Sequence, residues 1–214
     1  IPVTDFGTTC IYPQIPNIPP YHNDAVWPFV QTYYTWAAAR AGNEKAVMQS
    51  IADIYRPAAL FVTNKENLVA ENGDFAGTQI NSSNMLWSLS GNISLVHKVL
   101  FGIKFESNEL TFHPFVPEAL KGERSLDNFK YRNSILNIQM NGFGNKISSF
   151  TIDGKPTSAY IIPSTLKGTH TIHIQLSNNN TVNNTINHQP VYFSLAAPVV
   201  LADNNKLTWQ PVKD

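Results

Sequence analysis

Residues 21–34 read YHNDAVWPFVQTYY, so a phenol, an imidazole, an amide and a carboxylate (Tyr21, His22, Asn23, Asp24) run straight into an apolar segment. Such groups can trade hydrogen bonds with a neutral, hydroxyl-rich ligand, and Trp27 adds a ring. A plainer role competes: Asp24 as the N-cap of a helix starting near Val26, with Trp27 in its core. A second polar cluster, ENGDFAG, sets Glu71, Asn72 and Asp74 in one loop. Glu71 reads there either as a solvated turn residue or as part of a site. His170 and His173 in HTIH invite a metal reading, but that spacing on a strand places them on opposite faces. The single cysteine, Cys10, leaves neither an intramolecular disulfide nor a Cys-based metal centre. No metal and no cofactor are expected.

The composition narrows the partners. Lys+Arg and Asp+Glu both number 15 in 214 residues, giving zero formal net charge, which argues against nucleic acid. At 43 % hydrophobic residues the chain can build an ordinary globular core. Only 14 % of residues are charged, a surface suited to neutral ligands. No apolar run approaches the roughly 18 residues of a membrane span.

The elements that must position these residues follow from periodicity. Five prolines in PVTDFGTTCIYPQIPNIPP predict an irregular lead-in. Val26 to Ala41 is apolar around most of its circumference and predicts a buried helix, with Pro28 in the first turn. Gly42-Asn43 supplies a C-cap and a new N-cap. Glu44 to about Phe61 is an amphipathic partner that Pro57 should bend or end. After a loop over 63–81, a further helix is expected from about Ser82 to Phe101, where Gly91 marks close packing or a break. Beyond Gly102 the period changes from 3.6 to 2, predicting an antiparallel β-sandwich from about residue 106, with IDGK as a hairpin turn. SNNNTVNNTINHQ reads as a surface loop. The fold class expected is α+β: helical hairpins over 1–105, a sandwich over 106–197, and at 198–214 the first strands of a fibronectin type III-like module with an inward Trp209. Both ends read as cuts through a longer protein.

This order of elements resembles the end of an (α/α)6-toroid, or six-hairpin, glycoside hydrolase joined to a β-sandwich. Tyr21-His22-Asn23-Asp24-Ala25-Val26-Trp27 is similar to the Tyr-Trp-Arg-Gly-Pro-Val-Trp motif of the processing α-glucosidase I family and its bacterial relatives. Tyr21, Val26 and Trp27 agree, whereas His22, Asn23, Asp24 and Ala25 do not. LVAENGDFAGTQINSSNMLWSLSG resembles the segment where a Glu-Asn-Tyr precedes a Gly-rich loop and a Trp-Ser; Glu71-Asn72 and Trp87-Ser88 match, and Gly73 replaces the Tyr. VLFGIKFESNELTFHPFVPEAL looks like the toroid-to-sandwich junction of related glucosidases, phosphorylases and rhamnosidases.

The resemblance implies an inverting hydrolysis of an oligosaccharide or glycoside. Inversion needs an acid and a base carboxyl about 6.5–9.5 Å apart. Glu71 would be the base, and Tyr21, His22, Asn23, Asp24, Trp27, Asn72, Asp74 and Trp87 would bind sugar. The family's general acid lies on an earlier hairpin, so none is assigned here. A secreted or periplasmic protein is implied, its apolar helix faces covered by the remainder of a parent polypeptide or by a self-paired oligomer. The missing Arg-Gly-Pro keeps a second reading open, a non-catalytic carbohydrate-binding or scaffold protein.

Overall fold

The computed structural model describes residues 2–179, 185–188, 200–203 and 206–209. The fold is α+β, with helices towards the N-terminus and mostly antiparallel sheets after them. Two compact units divide it: Ile1–Tyr34, Ala52–Gly91 and Ile186–Asp214 form one, Thr35–Ile51 and Asn92–Thr185 the other. None of the described helices is long and apolar enough to cross a membrane.

In the first unit the chain reaches Asp24 in a left-handed conformation (φ 51°) and enters a two-residue strand, β1 (Ala25–Val26). This strand pairs antiparallel with β2 (Leu68–Val69). The helix α1 (Pro28–Arg40) therefore starts two residues later than periodicity predicts, with Pro28 as its first residue. Asp24 is not its N-cap; its carbonyl instead accepts the Ala70 N–H at 2.9 Å, extending the short ladder. Nor is α1 buried all round. Gln31, Thr32 and Thr35 face inward while Tyr33 is exposed. The polar residues are stable inside because they bond one another. Gln31 Oε1 accepts the Thr8 N–H (2.8 Å) and hydroxyl (2.7 Å), and its Nε2 donates to Asp53 Oδ2 at 3.0 Å. A buried amide with these partners escapes the penalty of an unmade bond.

The Gly42-Asn43 turn forms as the sequence predicts. Gly42 is left-handed (φ 71°), and Asn43 Oδ1 accepts the Ala46 N–H at 2.9 Å, capping α2 (Glu44–Phe61). Pro57 does not end this helix, which continues to Phe61. The third helix is shorter than expected, α3 (Leu86–Ser94), and passes into a π-helical stretch over Leu95–Leu100. Gly91 marks close packing: a Cβ there would stand 3.1 Å from the Thr32 hydroxyl and 3.4 Å from the Pro28 carbonyl.

The second unit holds the sandwich, whose first strand begins a little before residue 106. One sheet has three strands, β3 (Ile103–Phe105), β4 (Glu109–Phe112) and β9 (Ile161–Pro163), in that order. The other has five: β5 (Gly122–Tyr131), β6 (Ser134–Gly142), β10 (Gly168–Leu176), β7 (Ile147–Ile152) and β8 (Lys155–Pro156). Alternation along β6 turns Leu136, Ile138 and Met140 inward, where they meet Ile172, Ile174, Leu110, Phe112 and Ile162 in one core. Phe112 and Phe150 touch across the sheets with ring centroids 5.3 Å apart. One ladder departs from the antiparallel expectation. β10 enters between β6 and β7 and runs parallel to β6 from Gly168↔Ser134 to Gln175↔Asn141. Asp153 and Gly154, at φ 51° and 76°, make the expected hairpin turn between β7 and β8. Of the Asn-rich 177–189 segment, residues 180–184 and 189 lie outside the described residues. Near the C-terminus β11 (Val200–Asp203) pairs with β12 (Lys206–Trp209), and Trp209 is 61 % exposed rather than inward.

Candidate functional site

The residues ahead of α1 assemble an aromatic cluster. Trp27 donates its indole N–H to the Tyr21 carbonyl at 2.7 Å, which folds the 21–27 turn back on itself. His22 then stacks on Trp27 (centroids 5.1 Å apart, planes 11° apart), and Tyr21 meets Trp27 edge-on at 5.1 Å. Trp87, from the first turn of α3, joins at 6.2 Å from Trp27 and 6.4 Å from Phe29. Trp27 is only 7 % exposed and forms the base of the cluster, whereas Trp87 is 44 % exposed and offers an open ring. His22 is exposed as well.

A carboxylate completes the group, and it is Glu66. The Tyr21 hydroxyl donates to Glu66 Oε1 at 3.2 Å. Burial and this carboxylate push the Tyr21 hydroxyl above its ordinary pKa, so the phenol keeps its proton. Glu66 is 6 % exposed. Its segment is held by backbone bonds: Glu66 N–H to the Ser82 carbonyl (3.0 Å), Met85 N–H to the Asn64 carbonyl (3.0 Å), and the Ser88 hydroxyl to the Lys65 carbonyl (2.9 Å). These anchors register residues 64–66 against the start of α3, which is why Glu66 and Trp87 share one neighbourhood. Sequence reasoning missed Glu66 because an acidic residue in the polar run TNKEN reads as solvated loop. Only its position directly before the buried Asn67-Leu68 hints otherwise.

The remaining candidates stand elsewhere. Asn23 is buried and its amide is fully engaged: Oδ1 accepts the Ile15 N–H at 2.7 Å, and Nδ2 lies 3.1 Å from the Ile15 carbonyl and 3.3 Å from that of Ile18. It organises the lead-in loop. Asp24, also buried, is 3.3 Å from the Asn23 amide through Oδ2. Glu71, Asn72 and Asp74 are exposed on the turn that follows β2. Asn72 Oδ1 caps the Asp74 N–H (2.9 Å), and Asp74 Oδ1 caps that of Ala76 (3.0 Å), so both side chains shape the turn. Gly73 (φ 69°) rests on Phe6, whose ring would be 2.4 Å from any Cβ. The Tyr of the resembled motif has no room there. The structure thus groups Tyr21, His22, Trp27 and Trp87, and leaves Asn23 and Asp24 inside and the Glu71 turn in solvent.

The second polar feature of this unit is Asp53, which receives the Gln31 amide. Desolvation lifts its pKa from 3.8 to about 8; Arg56 opposes the rise and Asp5 adds to it. His170 is taken up by Asp153, whose Oδ2 lies 2.7 Å from His170 Nδ1, and by the Lys167 carbonyl at 2.9 Å from Nε2. The hydrogen bond to Asp153, the larger cause, raises the His170 pKa. No protein-family model and no curated protein matches the chain.

Proposed function

We propose that the chain is the sugar-handling part of a glycoside hydrolase of the six-hairpin type, acting on an oligosaccharide or glycoside. The observation that carries the reading is the aromatic group Tyr21, His22, Trp27 and Trp87 beside the Glu66 carboxylate. Ring faces pack on the apolar faces of pyranoses, and a carboxylate accepts two sugar hydroxyls at once. The binding test is titration calorimetry of the protein with a panel of α-linked glucose oligosaccharides. Trp87→Ala should weaken a bound sugar about tenfold, or about 1.4 kcal/mol, with the circular dichroism spectrum unchanged. Absence of binding across the panel, or equal binding by the variant, would sink the reading.

A non-catalytic carbohydrate-binding role is the second reading, and the exposure of Glu71 on its turn favours it. In the parent hydrolase that the first reading implies, Glu71→Gln separates the two. A base role demands that hydrolysis fall by orders of magnitude while sugar binding survives. Turnover that is unchanged removes Glu71 from the mechanism and leaves binding.

A further inference from the structure

The β-rich unit contains a cleft of about 950 Å³, at the upper end of the roughly 300–1,000 Å³ typical of ligand pockets. Its walls bear four cations, three on elements and one in a loop: Arg40 on α1, Lys98 on the π-helical stretch, Lys104 on β3, and Lys146 just before β7. Lys104 is ion-paired with Glu106. Among the described residues no ion-pair partner meets Arg40, Lys98 or Lys146, and none of those lining the cleft is acidic. Lys98 Nζ instead sits 4.2 Å above the Trp36 ring, which holds the ammonium without neutralising it. Trp36, Phe105 and Tyr160 supply ring surface in the same walls.

A chain of zero net charge that gathers unneutralised cations in one cleft concentrates positive potential there. Packing does not require this, since the core beneath is built from apolar residues. We propose that this cleft binds an acidic oligosaccharide, its carboxylates met by Arg40, Lys98 and Lys146 and its pyranose faces by the rings. The same walls carry three cations outside any ion pair and three aromatic rings, a combination that suits a ligand with carboxylates and apolar pyranose faces rather than one compact phosphate. The chain's neutrality disfavours nucleic acid, which binds through an extended basic field. The site is separate from the Glu66 cluster and does not depend on it.

Calorimetry with hexagalacturonate at low salt tests the assignment. One equivalent should bind, more weakly as salt rises. The double variant Lys98→Ala/Lys146→Ala should lose about tenfold in affinity, Lys98→Arg/Lys146→Arg should retain it, and Lys130→Ala, an exposed cation outside the cleft, should leave it unchanged. Maltohexaose, neutral and of equal length, should not compete. The proposal falls if hexagalacturonate does not bind, if the alanine pair binds it as the wild type does, or if a thymidine hexanucleotide binds equally well and responds equally to the variants.

Discussion

Asp53→Asn converts a buried titrating group into one that cannot titrate. In the folded chain Asp53 ionises only near pH 8, because its surroundings replace the water that would solvate the charge. Unfolded, it ionises near 3.9. Below about pH 4 both states hold the proton and the residue has no pH-linked effect. From there to about pH 8 only the folded state holds it, so stability falls by about 1.4 kcal/mol per pH unit. Between the unfolded value and pH 7 that amounts to about 4 kcal/mol, a large share of the 5–15 kcal/mol typical of a domain. Asn keeps an oxygen for the Gln31 amide, which reaches Asp53 at 3.0 Å in the wild type. Urea unfolding followed by tryptophan fluorescence, at unit steps from pH 5 to 8, should show wild-type stability descending relative to Asp53→Asn. The variant should be the more stable protein at pH 8. Arg56→Ala, which removes the opposing cation, should push the transition higher still. A pH slope that persists unchanged in Asp53→Asn would refute the reasoning, as would a difference that grows towards acid.

Two further outcomes follow from local geometry. Gly102 is left-handed (φ 64°) and a Cβ there would lie 2.0 Å from the His113 carbonyl carbon, so Gly102→Ala should lower stability by more than about 1 kcal/mol, read from the urea midpoint. Burial pushes the Cys10 thiol up to about 11, so its alkylation by iodoacetamide at pH 8 should run well below the rate of a free thiol, and reach it in denaturant.

The features legible in the sequence are those with a local cause. Gly42, Asp153 and Gly154 take the left-handed backbone that glycine and aspartate tolerate best, and the alternation of SILNIQMNG faces one core whatever the partner strand. Gly91 was readable because a missing side chain in an apolar face admits few explanations. What stayed hidden was decided by distant partners. The polar face of α1 is buried because Thr8 and Asp53 satisfy Gln31, which no window around residue 31 contains. Asp24 looks like a cap until β2 arrives to pair with β1. Glu66 joins the rings through Ser82 and Ser88, and the parallel register of β10 depends on where β6 and β7 separate.

That separation sets an order of events during synthesis. β6 and β7 are consecutive, joined by a short loop, and without β10 nothing would prevent them from closing as a hairpin. In the finished sheet β10 lies between them, paired with β6 over Gly168–Gln175 and with β7 over Ile172–Leu176. A nascent chain that has not yet emerged through residue 176 thus has the wrong nearest neighbours available. Its core residues Leu136, Ile138 and Phe150 wait for Ile172 and Ile174 to be translated. Non-local pairing of this kind slows folding and prolongs exposure of apolar strands. Truncation just before β10 should therefore yield a species that associates, and a slow codon run placed there should lower the soluble yield.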